Sequence, residues 1–222
     1  MPTCPCCWRT DVVRSKDIAA RLLLVRHGES ETNAANAFTG WTDPALTEKG
    51  EEEARQVGAM LRGKSIKVDR SFTSVLQRST RSLDIILDAL RQPDIPTSAN
   101  AALNERDYGE LTGLNKAAAA TKWGEEQVRR WRRSYADAPP GGESLRDTMA
   151  RVLAYYVARM LPAVMDGGTT LVVSHGNTLR GLIMALDEMR PDEIERFDLS
   201  TGATHLFSLA PDTRVIRHEV LR

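Results

Sequence analysis

The sequence predicts an α/β fold, a three-layer sandwich in which helices flank a mostly parallel central sheet. Two observations support this prediction. Short apolar runs of strand length alternate with longer segments of helical periodicity, and two of the apolar runs end in a histidine followed by a glycine. The length of 222 residues suits one domain and can bury a sizeable core without disulfides.

Each element follows from a local pattern. Leu22-Leu23-Leu24-Val25 is an unbroken apolar run of the kind expected for a buried strand. Thr47 is a good helix N-cap, and the glutamates after it favour the positive end of a helix dipole. We predict strands over 21–25, 68–73, 170–174 and 214–220, and helices from Thr47 onwards and over 83–90, 117–120, 144–160 and 179–186.

The bulk charge argues against two classes of partner. Lys plus Arg and Asp plus Glu both count 30, so the formal net charge is zero. Such a chain is not expected to bind nucleic acid or a membrane through bulk electrostatics, although a local arginine cluster can still hold a small anion. No apolar stretch reaches the ~18 residues that a transmembrane helix needs. We therefore expect no nucleic-acid partner and no membrane partner.

The cysteines and the N-terminus bear on the compartment. Cys4, Cys6 and Cys7 are the only cysteines, so the body of the protein has no disulfide framework, which fits a reducing cytoplasm. Zinc usually takes four ligands in two separated pairs, so this cluster favours a disordered tail over a metal site. Residues 1–20 also lack the apolar middle of a secretory signal. We expect 1–20 to be a disordered extension, 21–222 to be one catalytic domain, and the protein to be cytoplasmic.

His27 is the first candidate catalytic residue. A lone histidine at a strand end is more often structural, but the neighbours of His27 favour chemistry. Arg26 can fork onto phosphate oxygens, and Gly28 lets the backbone approach a ligand closely. Cations beside a neutral imidazole lower its pKa and leave it a good nucleophile toward phosphorus. Further polar groups follow at Glu29, Ser30 and Asn33.

His175 follows a second predicted strand and precedes Gly176 and Asn177. In open α/β sheets, ligands bind beyond the carboxyl ends of the strands. We therefore expect His27 and His175 to face one site from two sides. The natural role of His175 is to stabilise a transferring phosphoryl group by hydrogen bonding, while His27 attacks it.

Two more residues fit phosphoryl transfer. Arg78 opens a predicted helix after a strand, where anions bind, so it is a third phosphate ligand unless it is an ordinary exposed helix arginine. Transfer to and from a hydroxyl also needs a group that gives and takes a proton. Glu105 fits this role, because a nearby phosphate pushes a carboxyl toward its protonated form. The spacing alone leaves Glu29 and Asp107 as alternatives.

Lys116, Arg132 and Arg133 form a second basic set. Such charges usually mean a solvated surface. A small substrate that carries both a carboxylate and a phosphate would need cations on its far side, and this set could supply them.

These segments resemble a known family. Arg26-His27-Gly28, Arg78, a mid-chain glutamate and His175-Gly176 look like the histidine phosphatase superfamily. Within it, the sequence is similar to the 2,3-bisphosphoglycerate-dependent phosphoglycerate mutases, in their short bacterial form. The segments typical of the mutases are Phe38-Thr39-Gly40-Trp41, Leu103-Asn104-Glu105-Arg106-Asp107-Tyr108-Gly109, Gly113-Leu114-Asn115-Lys116 and Trp131-Arg132-Arg133.

The resemblance implies a role for each matching residue. His27 would carry the phosphoryl group and Glu105 would move the proton, with His175, Arg26 and Arg78 as the other catalytic residues. The expected substrate-binding residues are Arg26, His27, Gly28, Glu29, Ser30, Asn33, Thr39, Gly40, Arg78, Glu105, Arg106, Asp107, Tyr108, Lys116, Arg132, Arg133, Gly176 and Asn177.

The activity implied is the interconversion of 2-phosphoglycerate and 3-phosphoglycerate in glycolysis and gluconeogenesis. The resemblance also implies priming by 2,3-bisphosphoglycerate, no metal, and a homo-oligomer, either dimer or tetramer. One alternative is a phosphatase on the same scaffold, in which water takes the phosphoryl group. The other is an inactive binding module, which would be expected to lack His27, Arg78 or Glu105. All three residues are present, and the second basic set favours the mutase over the phosphatase.

Overall fold

The structure is a computed structural model that describes residues 18–222. Most of the predicted N-terminal extension, with its three cysteines, lies outside the described residues. The strands are β1 Ala20–Arg26, β2 Arg70–Thr73, β3 Thr97–Ala99, β4 Gly168–Ser174, β5 Thr204–Leu209 and β6 Val215–Leu221. The α-helices are α1 Glu31–Ala34, α2 Glu48–Gly63, α3 Gln77–Leu90, α4 Lys116–Trp123, α5 Glu125–Arg133, α6 Leu145–Tyr155, α7 Leu161–Met165, α8 Gly176–Leu186 and α9 Pro191–Arg196.

The predicted α/β class and mostly parallel sheet are confirmed. The strands form one sheet in the order β3-β2-β4-β1-β5-β6. The first four are parallel to one another, and β5 alone runs against its neighbours. The carboxyl ends of β1, β2, β3 and β4 therefore meet at one edge of the sheet, where ligands bind in such folds. Within the described residues, no helix has the length and apolarity to span a bilayer.

Strand β1 is buried on both faces of the sheet. Leu22 and Leu24 pack into the core that α6 and α8 cover, while Leu23 and Val25 pack into the core beneath α2 and α3. All four side chains have no solvent exposure. Such burial explains the unbroken apolar run, because a strand covered on both faces needs no polar alternation. Each side chain contributes roughly 1.5–3 kcal/mol of transfer free energy.

The helix predicted over 144–160 is confirmed as an α-helix over 145–155, and its last five residues differ. The α-helix ends at Tyr155, a π-helical turn covers Tyr156–Met160, and α7 follows directly. Pro162 lies in the first turn of α7. A proline ring clashes with the carbonyl four residues earlier, and a wider turn just upstream relieves that clash.

Several short elements were not predicted. Strand β5 shows neither an unbroken apolar run nor strict alternation, yet every one of its residues is buried. Strand β3 has three exposed residues and too little pattern to recognise. The predicted boundaries of the remaining strands agree with the structure to within two residues.

A close glycine contact fixes the loop after β1 against the start of α2. Thr47 is the N-cap of α2, as predicted, and its N–H donates to the Glu29 carbonyl at 2.9 Å. A Cβ on Gly50 would lie 2.0 Å from that same carbonyl oxygen, and a Cβ on Gly28 would lie 2.0 Å from the Gly50 oxygen. The two backbones can approach this closely only because neither residue has a side chain.

We predict that Gly50→Ala destabilises the fold by about 1–3 kcal/mol, because the new methyl overpacks a rigid backbone contact. The measurement is urea unfolding followed by circular dichroism. Gly63→Ala in the same helix is the control, since a Cβ there meets nothing within 4 Å. That variant should keep or slightly raise the stability. Equal stability of the two variants would contradict the contact.

Candidate active site

The two candidate histidines lie side by side because β1 and β4 pair in register. Arg26 pairs with Ser174, and the His27 N–H donates to the Ser174 carbonyl at 2.9 Å. The next residue on each strand is therefore a histidine on the same edge. The His27 and His175 ring centroids are 4.9 Å apart in an edge-to-face arrangement. Both rings are buried, with His27 2% exposed.

The hydrogen bond of His27 defines its tautomer. Its Nδ1 lies 2.6 Å from the Gly28 carbonyl oxygen. A carbonyl can only accept, so Nδ1 carries the proton and the lone pair is on Nε2. Burial first, then the charges of Arg26 and Arg78, lower the pKa of the His27 imidazole well below 6.5. His27 is thus a neutral imidazole with an available Nε2.

His175 has the opposite arrangement. Its Nε2 lies 2.7 Å from the Ser74 hydroxyl, which already accepts from the Leu76 N–H at 3.2 Å. The hydroxyl can therefore donate to Nε2, and the ring proton is then on Nδ1, a buried atom without a hydrogen-bond partner among the described residues. Burial first, then Arg78, lower the pKa of this ring too. His175 is a neutral donor without an acceptor.

Arg78 and Arg26 bring two guanidinium groups to the histidines. Arg78 is 1% exposed, and it donates to the Thr42 carbonyl at 2.8 Å and the Gly40 carbonyl at 2.9 Å. Arg26 donates to the Leu199 carbonyl, while its buried Nε has no partner among the described residues. Within residues 18–222, neither arginine is in an ion pair at 4.0 Å or less. Their charges are therefore available to an anionic ligand.

Glu105 is held by one of its two carboxylate oxygens. Its Oε1 accepts from the Arg106 N–H at 2.8 Å and from the Asn177 N–H and Nδ2, both at 3.1 Å. A Cβ on Gly176 would lie 3.7 Å from Oε2 and 3.6 Å from Arg26 Nε. The bonded Oε1 caps the N-terminus of α8, which leaves Oε2 without a hydrogen bond among the described residues.

A cavity of about 200 Å³ opens beside these groups. Five basic side chains face two carboxylates in its wall, so it suits a small, multiply charged anion. Burial first, then Arg132 and Arg26, lower the pKa of the Lys116 ammonium. Neither imidazole lines the cavity itself. The lining residues are Arg26, Asn33, Ala37, Phe38, Thr39, Glu105, Tyr108, Lys116, Arg132, Arg133, Gly176, Asn177, Arg180 and Asp198.

The structure places four predicted ligands away from the cavity. Glu29 forms an ion pair with Lys49 at 2.8 Å, and Asp107 Oδ1 accepts from the Gly109 N–H at 2.8 Å. Glu29 and Asp107 are the two alternatives to Glu105, and these contacts hold their carboxylates outside the cavity wall. The other two are Ser30, the buried N-cap of α1, and Arg106, which is fully buried with its guanidinium 4.6 Å from the Tyr108 ring centroid.

Glycine 28 and glycine 40 shape the surroundings instead of lining the cavity. Gly28 makes the contact with α2 and accepts from His27, and Gly40 offers its carbonyl to Arg78. The φ of Gly40 is +55°, a conformation that favours glycine. Both glycines therefore shape the site through contacts of their own backbone atoms.

Two charged cavity residues, Arg180 and Asp198, were not predicted from the sequence. Arg180 lies one helical turn after Asn177, so the i, i+3 spacing on α8 was a usable signal. Asp198 pairs with Arg133 at 3.1 Å, and no local pattern distinguishes it from a surface carboxylate. Within the described residues, no group of three or more His, Cys, Asp or Glu side chains is arranged to hold a metal ion.

Comparisons with known proteins agree on one family. A family model described as histidine phosphatase superfamily (branch 1) matches residues 22–220. A 2,3-bisphosphoglycerate-dependent phosphoglycerate mutase of Xanthobacter autotrophicus is 55% identical over 194 residues, which are 87% of this chain and 94% of that one. One of the same name from Beijerinckia indica is 53% identical over 201 residues, or 90% and 97% of the two chains.

Solved structures show the same fold at lower identity. The mycobacterial glucosyl-3-phosphoglycerate phosphatase in complex with VO3 has a TM-score of 0.76 at 24% identity, covering 91% of this chain and 98% of that one. An alpha-ribazole phosphatase from Shigella flexneri has a TM-score of 0.74 at 23% identity, covering 91% and 94%. At such identities the likeness concerns the fold alone.

We predict that stability falls as the pH drops below 6.5, partly because of His27 and His175. Both have folded-state pKa values below 6.5, so the unfolded chain binds more protons and acid favours unfolding. Each can contribute up to about 1.4 kcal/mol per pH unit. Urea unfolding at pH 7.5, 6.5, 6.0 and 5.5 measures the slope. His27→Gln should flatten it below pH 6.5 and leave it unchanged above. An unchanged slope would contradict the buried neutral state.

We also predict that Asp198→Asn tightens the binding of small anions, because the variant removes a carboxylate that competes for Arg133. An exposed pair of this kind is worth up to about 1 kcal/mol, or roughly fivefold in affinity. Calorimetric titration with inorganic phosphate measures the effect. The control is Asp137→Asn, which removes a comparable partner from Arg130 at 2.9 Å, outside the cavity wall. Equal affinities in both variants would contradict the competition.

Proposed function

Because the chain belongs to the histidine phosphatase superfamily (branch 1), and within it to the 2,3-bisphosphoglycerate-dependent phosphoglycerate mutases, we propose that it interconverts 2-phosphoglycerate and 3-phosphoglycerate through a phosphohistidine at His27. The observation that carries the proposal is the pairing of a neutral, buried nucleophile with a cavity of five basic side chains. The proposal places the reaction in glycolysis and gluconeogenesis, in the cytoplasm. The predicted dimer or tetramer stays a prediction.

The priming group fits the donors that the site leaves unpaired. Arg26 Nε and His175 Nδ1 are buried and lack partners among the described residues, as expected where an anionic phosphoryl group completes the hydrogen bonding. When bound, 2,3-bisphosphoglycerate supplies the phosphoryl group that first loads His27. Arg26, Arg78 and His175 hold the three outer oxygens of that group and offset their charge.

Glu105 moves the proton in each half of the reaction. When the substrate hydroxyl attacks phosphorus, Oε2 of Glu105 takes the hydroxyl proton, the nitrogen–phosphorus bond breaks, and His27 regains the lone pair on Nε2. In the second half, Nε2 attacks the other phosphoryl group, and the departing oxygen takes the proton back from Oε2. Protons and electron pairs balance over the cycle, so no outside acid or base is consumed.

A basic part of the cavity wall holds the rest of the substrate. Lys116, Arg132 and Arg133 come from the start of α4 and the end of α5, so two helices bring them to one side of the cavity. Phosphoglycerate carries a carboxylate and a phosphate at its two ends, and cations on this wall can hold whichever end does not react. Turning the intermediate between the half-reactions exchanges the two ends between the wall and His27.

A phosphatase on the same scaffold would need only the His27 end of this site. In a phosphatase the phosphoryl acceptor is water, which has no second charged group for the site to bind. A phosphatase of small esters therefore gains nothing from the three basic side chains of this wall. Burial of His27 also keeps water from the nitrogen–phosphorus bond while the intermediate turns. Both features favour the mutase over the phosphatase.

We predict that the purified protein converts 3-phosphoglycerate to 2-phosphoglycerate, and that trace 2,3-bisphosphoglycerate raises the rate by loading His27. ³¹P nuclear magnetic resonance follows both the isomer and the release of free phosphate, and it needs no metal-dependent coupling enzyme. A chelator should leave the rate unchanged. His27→Ala is the control, and it should lose both activity and acid-labile phosphoryl labelling. Release of phosphate without any isomer would reject the mutase and leave the phosphatase.

A further inference from the structure

Arg180 is a buried cation that contacts a residue of the proton-transfer apparatus. It lies on α8, one turn after Asn177, and is 4% exposed. Its Nη1 donates to Asn177 Oδ1 at 2.9 Å, and its Nη2 donates to the Ile194 carbonyl at 2.6 Å. One guanidinium therefore links the side chain of Asn177 to the backbone of α9.

The contact with Arg180 sets the orientation of the Asn177 amide. A guanidinium can only donate, so the atom that faces it must be the amide oxygen. The Nδ2 group then points the other way, where it donates to Glu105 Oε1 at 3.1 Å and to the Tyr108 hydroxyl at 3.0 Å. Rotating the amide by half a turn would place an oxygen against the Glu105 carboxylate, which is repulsive.

Asn177 in turn determines which oxygen of Glu105 is bound. Its backbone N–H and Nδ2 supply two of the three donors to Oε1, and the third is the Arg106 N–H. We propose that Arg180 is a positioning residue for the proton transfer, which acts through Asn177 to hold Glu105 by Oε1 and keep Oε2 free. This inference rests on the proposed function, because it concerns the proton that Glu105 exchanges with the substrate.

The charge of Arg180 is poorly explained as a stabilising feature. Within the described residues it has no carboxylate at ion-pair distance, and its buried Nε has no hydrogen-bond partner. Burial, followed by the nearby charge of Arg106, lowers the pKa of its guanidinium to about 10. An unpaired buried cation costs free energy, so its two directed hydrogen bonds are better explained by a role in the site.

A simpler role for Arg180 predicts different kinetics. Because Arg180 lines the cavity, the simpler role is that its positive charge attracts the anionic substrate and does nothing else. In that case a substitution raises KM, leaves kcat unchanged, and is rescued by lysine, which restores the charge. A positioning role instead lowers kcat, because a misplaced proton-transfer group affects the transition state more than binding. Lysine does not restore it, since one ammonium cannot reproduce the fork that spans Asn177 and Ile194.

The experiment compares Arg180→Met and Arg180→Lys with the wild-type enzyme, after the wild type has been shown to form 2-phosphoglycerate. An inactive wild type would count against the proposed function, and the Arg180 variants are compared only against an active one. Initial rates across a range of 3-phosphoglycerate give kcat and KM. We expect Arg180→Met to lower kcat about 100-fold, the scale of a ~1 Å misplacement, with a smaller change in KM. Arg180→Lys should remain at least about 10-fold below wild type.

Arg133→Met and Arg133→Lys are the matched controls, because Arg133 lines the same cavity without contacting Asn177. Arg133→Met should act mainly on KM, and Arg133→Lys should recover much of the loss. Rates are expressed per mole of His27 that accepts an acid-labile phosphoryl label at the endpoint, so unfolded molecules are not counted. Full rescue by Arg180→Lys, or a change confined to KM, would overturn the positioning role.

A double-mutant cycle gives the decisive readout. If Arg180 acts through Glu105, Arg180→Met should cost little more in kcat once Glu105→Gln has removed the proton-transfer group. If Arg180 acts on its own, the two losses should multiply. Strongly non-additive losses support the inference, and multiplicative losses reject it.

Discussion

The in-register pairing of β1 with β4 is the constraint on which the rest of the site depends. Both strands are buried on two faces, and a slip of one residue would move every side chain of one strand to the opposite layer. The core therefore fixes the register, and the register places His27 beside His175. Ordinary apolar packing in the middle of the sheet thus determines the 4.9 Å separation of the two rings at its edge.

The site gathers cations without an equal number of anions. Burial and neighbouring arginines keep both imidazoles neutral, and Arg78 and Arg180 are buried without carboxylate partners at ion-pair distance among the described residues. Neutralising these cations with carboxylates would relieve the cost of burying them, but it would also raise the pKa of His27 and occupy the groups that hold phosphate. The unpaired cations therefore have two effects. They keep His27 neutral, as a nucleophile must be, and they remain available to bind the phosphate.

The sequence predicts those features that depend on neighbours in the chain. His27 and His175 were found because each follows an apolar strand and precedes a glycine. Arg180 has one local signal, its i, i+3 spacing from Asn177, but its second contact is with the Ile194 carbonyl 14 positions away. Asp198 pairs with Arg133, 65 positions away, so no local pattern reveals it. The α/β class was predictable from alternating periodicities. The π-helical turn was not predictable, because the spacing of its hydrogen bonds differs from that of an α-helix by only one residue.

The unpaired donors of the site would also couple the binding of a ligand to the stability of the folded protein. Arg26 Nε, His175 Nδ1 and Arg180 Nε are buried groups whose hydrogen bonding the protein alone leaves incomplete within the described chain. A ligand that binds only the folded state raises its stability, by ~2.7 kcal/mol at a concentration 100-fold above Kd. Proteases act on opened molecules, so an enzyme supplied with its phosphorylated acids should persist longer than one deprived of them. The metabolite pool would then influence how much enzyme survives as well as how fast each molecule turns over.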